Sequence, residues 1–150
     1  MLATELILAT IMVLMMILTH LAGLAIITRL LRSHSRMMRR VRLLPFTILL
    51  GASMGLISTH TIEIWLYAAV YLGLGVFRSF EQALYFSTVT YSSIGYGDLV
   101  LPRQWRIFGA IEGPAGIMMI GLSTAYFVSL LTQLRLISHD WLRREDEPAR

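Results

Sequence analysis

The residues best suited to chemistry lie in one short stretch, Thr90 to Asp98, which reads Thr-Tyr-Ser-Ser-Ile-Gly-Tyr-Gly-Asp. Its Gly-Tyr-Gly tripeptide lies between two apolar segments, where glycine fills space poorly but permits backbone angles that other residues avoid. A backbone that points the carbonyl oxygens of Ser93 to Tyr96 in one direction can replace the water around a cation. A glycine-rich surface turn is the alternative, and it does not account for the apolar segments on both sides. The stretch therefore predicts a site that coordinates a cation with backbone carbonyls.

This stretch resembles the selectivity filter of the potassium channel family, in which four such loops replace the hydration shell of the ion. The usual filter reads Thr-Val-Gly-Tyr-Gly-Asp, and this sequence reads Ser93-Ile94-Gly95-Tyr96-Gly97-Asp98. Serine keeps the hydroxyl of the innermost ion site, and isoleucine keeps a β-branched packing residue. The resemblance implies a homotetrameric, potassium-selective channel without a cofactor, in which K⁺ binds at Ser93, Ile94, Gly95 and Tyr96, and Gly97 completes the filter.

The composition of the chain is that of a membrane protein. Its 150 residues are 56% hydrophobic and 15% charged, with a mean hydropathy of +0.67, whereas soluble domains carry about 25% charged residues. Only helices and closed barrels satisfy their backbone in lipid, and the long apolar runs favour helices. The chain has no cysteine, which excludes disulfides and thiolate chemistry. We therefore predict an all-α membrane protein.

Three apolar segments are long enough to cross a bilayer, which takes roughly 20 helical residues. They cover Leu6 to Ile27, Leu43 to about Leu72, and Trp105 to about Leu136. A cleaved signal peptide is the alternative for the first segment, but it requires a basic start, and the first arginine is Arg29. The run from Phe80 to Tyr91 is too short to span, and it predicts a re-entrant pore helix that ends just before the filter.

A basic run follows the first segment, and it predicts a polar cytoplasmic linker because short cytoplasmic loops are rich in arginine. A voltage sensor would carry its arginines within a spanning helix, and nucleic acid is not an expected partner of arginines placed at the ends of apolar segments. Anionic lipid headgroups are the expected partners instead. This topology puts the N-terminus and the filter outside and the C-terminus in the cytoplasm. The arginines of the run are Arg29, Arg32, Arg36, Arg39, Arg40 and Arg42.

The resemblance to potassium channels covers about residues 43–134, in the order outer helix, pore helix, filter and inner helix. We predict three parts: an N-terminal transmembrane helix with its basic loop (1–42), a pore domain (43–136) and a short cytoplasmic tail (137–150). The first helix is an addition to the minimal two-helix plan. The resemblance is to small channels of the prokaryotic plasma membrane.

The resemblance also implies supporting roles around the filter. Asp98 is expected to form a hydrogen bond behind the filter, with Tyr85 as its candidate partner. Some relatives place a glutamate near the end of the pore helix, and Val89 occupies that position here. The further filter supports are Phe86 and Thr90. The residues expected at the hinge and the central cavity of the inner helix are Gly116, Ile117, Ile120 and Thr124.

Two acids, Glu63 and Glu112, lie inside apolar segments, and His60 is one helical turn from Glu63. Ionisable groups at such depth are rare and are usually functional or paired. We predict that His60, Glu63 and Glu112 form a polar network that steadies the pore helix, either as a structural clasp or as a pH-sensitive element. A zinc site made of His60 and Glu63 alone is short of ligands.

Four other functions compete with a potassium channel. A nonselective cation channel is disfavoured because the filter keeps Tyr96, and a non-conducting pore-fold subunit is disfavoured by the intact Gly-Tyr-Gly-Asp sequence. A potassium transporter would carry four unlike repeats in one chain. An intramembrane enzyme built on Glu63, His60 and Glu112 lacks a nucleophile or a full metal set, so we do not expect catalysis.

Overall fold

The computed structural model describes residues 2–37 and 44–134, and this part of the chain folds into four α-helices without a β-strand. Helix α1 spans Leu2–Met37, α2 spans Leu44–Gly73, α3 spans Phe80–Tyr91 and α4 spans Arg106–Gln133. A short 3-10 turn, Arg103–Trp105, leads into α4. The expectations for Arg39, Arg40, Arg42 and the tail 137–150 lie outside the described residues, as does the side chain of Arg36.

Three of the helices are long and apolar enough to cross a membrane, over Leu2–Ser33, Pro45–Gly73 and Arg103–Gln133. The chain is therefore an all-α membrane protein, as its sequence predicts. The remaining helix, α3, has 12 residues and is too short to span. Its start is fixed by Ser79, whose side chain accepts a hydrogen bond from the backbone N–H of Gln82 at 3.3 Å.

Helix α1 is longer than the sequence pattern indicated. We expected a polar linker from Arg29 onwards, but α1 continues to Met37, so Arg29 and Arg32 are exposed residues on its last turns. The expectation was wrong because it assumed that the helix ends where the charged residues begin. Arginine and leucine are strong helix formers, and no glycine or proline interrupts the helix after Ile27.

Small residues allow α1 to approach α2 closely. Gly51, Gly55 and Thr59 lie one turn apart on α2, and Gly23 of α1 faces Thr59. A Cβ atom built on Gly55 would lie 2.6 Å from the side chain of Ile27, so a larger residue there would force Ile27 to shift. Such stripes of small residues are typical of helix interfaces in membranes, where close van der Waals packing drives association.

Helix α1 also shares a buried core with the rest of the bundle. Met12 and Met16 belong to the same apolar cluster as Tyr67 and Phe108. At the N-terminal end of α1, Oε2 of the buried Glu5 accepts a hydrogen bond from the backbone N–H of Ile107 at 3.2 Å. A helix start leaves such N–H groups without partners, and a carboxylate there is favourable. The start of α1 therefore lies beside the start of α4.

Candidate functional site

The loop that follows α3 adopts a left-handed backbone at every second residue. The φ angles are 56° at Ser93, 56° at Gly95 and 76° at Gly97. Glycine adopts such angles without steric cost, which accounts for two of the three positions. Serine does so uncommonly, so the backbone at Ser93 is strained. Open space surrounds both glycines, since nothing lies within 4 Å of a Cβ built on Gly95 or Gly97.

The amide groups of this loop turn back towards the end of α3. The N–H of Ser93 donates to the carbonyl of Thr90 at 2.9 Å, and the N–H groups of Ile94 and Gly95 both donate to the carbonyl of Val89, at 3.0 and 3.2 Å. These are the carbonyls that a helix end leaves without partners. In a trans peptide the C=O points opposite to the N–H. The carbonyl oxygens of Ser93 and Ile94 therefore point away from α3, as cation coordination requires.

A hydrogen bond joins the end of the loop to α3. The hydroxyl of Tyr85 donates to Oδ2 of Asp98 at 2.7 Å, the contact that we expected from the resemblance. The carboxylate raises the pKa of the Tyr85 phenol because it accepts this hydrogen bond. Phe86, the neighbouring aromatic residue, packs against Tyr71 and Phe77, with ring centroids 5.2 Å apart in both pairs. Tyr85 therefore contacts the end of the loop, whereas Phe86 packs against aromatic rings away from it.

Glu112 is fully buried where three helices meet. Its Oε2 accepts a hydrogen bond from Tyr71 of α2 at 2.6 Å, and its Oε1 accepts one from Ser87 of α3 at 2.5 Å. Ser87 also lies 3.0 Å from the carbonyl oxygen of Ile64. A buried carboxylate needs such donors to offset its desolvation. Glu112 therefore ties α4 to α2 and α3.

Glu63 anchors a second cluster, which connects all four helices. Its Oε1 lies 2.9 Å from Nδ1 of His20, and its Oε2 accepts a hydrogen bond from Tyr91 at 2.5 Å. Nδ1 of His60 lies 3.3 Å from Oε2 of Glu63 and 2.7 Å from the Tyr91 hydroxyl. On the other side of both rings, Oγ of Ser123 lies 2.9 Å from Nε2 of His60 and 3.4 Å from Nε2 of His20.

The structure therefore corrects the predicted polar network. We expected Glu112 to join His60 or Glu63, but each carboxylate has its own set of partners. Glu112 points to Tyr71 and Ser87 because those side chains face it from the neighbouring helices. His20 carried a usable signal, as an ionisable residue within an apolar segment. The other partners of the two carboxylates, which the sequence did not single out, are Tyr71, Ser87, Tyr91 and Ser123.

Helix α4 packs closely against the end of α3. A Cβ atom built on Gly116 would overlap the backbone carbonyl of Tyr91, and one on Gly113 would lie 3.4 Å from Oγ of Ser93. Gly116 thus has a steric reason to be glycine, beside the hinge role that the resemblance implies. The three residues expected at the cavity are exposed in the single chain, and they are Ile117, Ile120 and Thr124.

A sequence profile described as "Ion channel" matches residues 56–133, which is more than half of the chain. The matched region holds most of α2, all of α3, the loop after it and all of α4. The chain belongs to the ion channel family. Comparisons with curated proteins and with solved structures gave no match. The channel domain begins within α2, so α1 is an element outside the matched region.

Proposed function

We propose that this channel conducts K⁺ selectively through a filter formed by residues 93–97. The observation that carries the proposal is the backbone of the loop, whose amide groups turn to α3 and whose carbonyl oxygens at Ser93 and Ile94 face away from it. Rings of such carbonyls replace the hydration shell of K⁺. The Ser93 hydroxyl completes the innermost site, and further carbonyls come from Gly95 and Tyr96. Ion conduction of this kind requires no covalent chemistry.

Exposure of the filter loop supports a homotetramer. Every residue from 92 to 98 is exposed in the single chain, with 69% of Tyr96 and 56% of Ile94 accessible. Non-helical backbone at membrane depth is stable only where protein covers it or where it lines a water-filled path. One chain supplies one loop, and a carbonyl ring needs four. Four copies around one axis provide both the cover and the ring.

Charges on the chain favour cations along this path. The C-terminal end of α3 directs partial negative charge towards the loop, which stabilises a cation beyond it. Asp98 contributes a ring of carboxylates at the mouth of a tetramer and raises the local cation concentration. Repulsion between ions in adjacent sites then allows each bound ion to leave, so that the ions move through the filter.

The arginines support an orientation with the filter outside. Glu5 and the start of α4 lie at one end of the bundle, whereas Arg29 and Arg32 lie towards the other end of α1. Arginine-rich ends face the cytoplasm. The N-terminus and the filter then lie on the outer side of the membrane, and Arg29 and Arg32 reach anionic lipid headgroups of the inner leaflet.

A nonselective cation channel is the second candidate, and Ser93 is the observation that favours it. The family threonine is replaced by a residue without a β-branch, and the backbone there is left-handed with φ 56°. Serine lacks the γ-methyl group of threonine. The innermost ion site therefore has fewer packing contacts that fix its size. Equal K⁺ and Na⁺ fluxes would support this candidate.

Ion flux into liposomes that contain the purified channel tests the proposal. We expect a K⁺ gradient to drive flux that barium blocks, a Na⁺ gradient to drive little, and mass measurement in detergent to give four copies. The control variant Gly95→Ala should lose the flux, because alanine rarely adopts the φ of 56° that Gly95 has. Absence of flux from correctly assembled protein would contradict the proposal and favour a non-conducting subunit.

A further inference from the structure

Three metal-ligating side chains meet in the middle of the bundle, outside the filter. One ring nitrogen each from His20 and His60 and one carboxylate oxygen of Glu63 all lie within 4.8 Å of one another. His20 and Glu63 are fully buried, and only 20% of the His60 side chain is accessible. We propose that His20, His60 and Glu63 bind a divalent transition-metal ion of the zinc class.

The donor set fits such an ion. Two imidazoles and one carboxylate are a recurrent set of three protein ligands for Zn²⁺, which leaves a fourth position for water. Imidazole nitrogen favours zinc, copper and nickel, whereas Mg²⁺ and Ca²⁺ prefer oxygen ligands. With metal–ligand distances near 2.1 Å, tetrahedral ligands lie roughly 3.4 Å apart. The three donors already lie within 4.8 Å of one another, so shifts of about 1 Å bring them to this spacing.

Both imidazole rings are oriented for this arrangement. Nδ1 of His20 lies 2.9 Å from Oε1 of Glu63, and Nδ1 of His60 lies 3.3 Å from Oε2 of the same carboxylate, so both Nδ1 atoms are on the Glu63 side of their rings. Their Nε2 atoms lie 3.4 and 2.9 Å from Oγ of Ser123. A histidine that binds metal through one nitrogen donates the N–H of the other to an acceptor. The Ser123 oxygen has two lone pairs and accepts from both rings.

The carboxylate has an outer partner as well. Tyr91 donates to Oε2 of Glu63 at 2.5 Å, which leaves Oε1, the oxygen beside His20, for the ion. A cavity of about 340 Å³ adjoins His60 and Ser123 between α2 and α4. This cavity reaches His60 and provides an entry path towards the cluster.

The site would couple α1 to the filter. α1 supplies His20, α2 supplies the other two ligands, and Tyr91 is the last residue of the pore helix. A bound ion would thus hold the N-terminal helix against the pore domain. This metal site does not depend on potassium selectivity, because none of its ligands belongs to the filter at residues 93–97.

Metal binding by the purified full-length channel, with no histidine tag, tests the proposal. We expect one Zn²⁺ per chain to remain after gel filtration and the melting temperature to rise with Zn²⁺ concentration. Co²⁺ should occupy the same site and give the visible absorption of a four-coordinate ion. Mg²⁺ serves as the control ion and should change neither readout. A wild-type tetramer that retains no Zn²⁺ would overturn the proposal.

Single substitutions identify the ligands. His20→Gln, His60→Gln and Glu63→Gln each remove a ligand but keep a hydrogen-bonding side chain, and we expect Zn²⁺ affinity to fall by more than 100-fold in each. Ser123→Ala removes only the outer partner of the rings, so a loss of roughly 10- to 100-fold is expected. This fourth variant keeps the test valid if a ligand variant fails to assemble.

The two other histidines of the chain provide matched controls. His34→Gln and His139→Gln should bind Zn²⁺ as the wild-type channel does. Loss of binding in either control, or unchanged binding in assembled ligand variants, would overturn the proposed site. Because binding is measured without ion flux, failure of this site and failure of the potassium-channel function give different results.

Discussion

Two neighbouring tyrosines of α2 differ in one hydrogen bond. Tyr71 donates to the buried Glu112 at 2.6 Å, whereas the buried hydroxyl of Tyr67 has no hydrogen-bond partner in the described part of the chain. Removing the partner of a buried carboxylate is destabilising, and removing an unpartnered hydroxyl is not. The two residues therefore form a matched pair in which only one substitution removes a hydrogen bond from Glu112.

We expect Tyr71→Phe to lower the free energy of unfolding by about 1 kcal/mol, because Glu112 loses one of its two donors. Tyr67→Phe should be neutral or slightly stabilising. Thermal unfolding of the purified channel in detergent measures both. Equal effects of the two substitutions would mean that the Glu112 hydrogen bond contributes nothing to stability.

Tyr85→Phe tests the contact between α3 and the end of the filter loop. The variant loses the 2.7 Å hydrogen bond to Asp98, and both residues are exposed in the single chain, so we expect K⁺ flux to fall several-fold with little change in stability. Tyr126→Phe is the control, since it loses a 3.1 Å contact with Thr28 between α4 and α1 instead. Flux that is equal in the two variants would argue against a role of the Asp98 contact in conduction.

The same contact has a defined pH dependence. The pKa of Tyr85 is raised above its usual value of 10.0 by the hydrogen bond to Asp98. A raised pKa means that the stabilising contribution is complete below that usual value and is lost as the pH rises through the raised one. At neutral pH Tyr85 is therefore a constant donor, so the contact is not a physiological pH switch.

At the scale of elements, the close approach of α4 to α3 depends on one glycine. Glycine within a helix costs up to about 1 kcal/mol relative to alanine, so a Gly→Ala substitution is stabilising where space allows. A Cβ at Gly121 meets nothing within 4 Å, whereas one at Gly116 overlaps the carbonyl of Tyr91. The two positions on α4 therefore respond in opposite directions.

We expect Gly121→Ala to keep or raise the melting temperature of the channel. Gly116→Ala should lower it by the equivalent of about 1–3 kcal/mol, as overpacking does, and should reduce flux because Tyr91 lies two residues before the proposed filter. Melting curves and liposome flux measure both effects. A stabilised, fully conducting Gly116→Ala variant would contradict the close packing of these helices.

Three of the polar contacts between helix α1 and the rest of the bundle are spread along the length of α1. They join Glu5 to the N–H of Ile107 at 3.2 Å, His20 to Glu63 at 2.9 Å, and Thr28 to Tyr126 at 3.1 Å. Without α1, the carboxylate of Glu63 loses a buried partner, which is costly in a membrane interior. Helix α1 is thus an integral part of the fold.

Deletion of residues 2–37 should therefore prevent stable assembly, although the remaining chain keeps the whole filter. Gel filtration of the truncated protein measures assembly. Thr28→Val removes only one of the three contacts and should assemble as the wild type does, which controls for general fragility. Normal tetramers of the truncated chain would show that α1 is dispensable for folding.

Part of this architecture is predictable from local sequence signals. The bounds of α3 agree with the prediction because Ser79 supplies an N-cap signal and the filter sequence begins just after Tyr91. The end of α1 was missed because arginines indicate a membrane boundary but do not end a helix. The hydropathy of a segment indicates whether it lies in lipid, but not the residue at which its helix ends.

The side-chain clusters were less predictable than the helices. Glu63 and Glu112 were identified because charge inside an apolar segment is conspicuous, but their partners depend on how each helix is rotated. Nothing in the sequence marked Tyr71 and Ser87 as partners of Glu112. The pairing of His20 with Glu63 bridges 43 positions, a separation over which local patterns carry no information.

At the scale of the whole molecule, the single chain leaves its filter loop uncovered. Tyr96 and Ile94 are exposed there. Within the described residues, no hydrogen bond is donated to the backbone carbonyls of residues 93–96. Lipid does not hydrogen-bond such groups. Our proposal makes the chain one quarter of a larger pore and assigns ion selectivity to the assembled tetramer.

The most direct test is the reversal potential of the reconstituted channel with K⁺ on one side of the membrane and Na⁺ on the other. Our account predicts a reversal potential strongly displaced in the direction set by K⁺ permeation, because carbonyl rings at residues 93–96 replace the hydration shell of K⁺. A reversal potential near zero, from channels that conduct, would mean equal permeation of both ions and would contradict a potassium-selective filter.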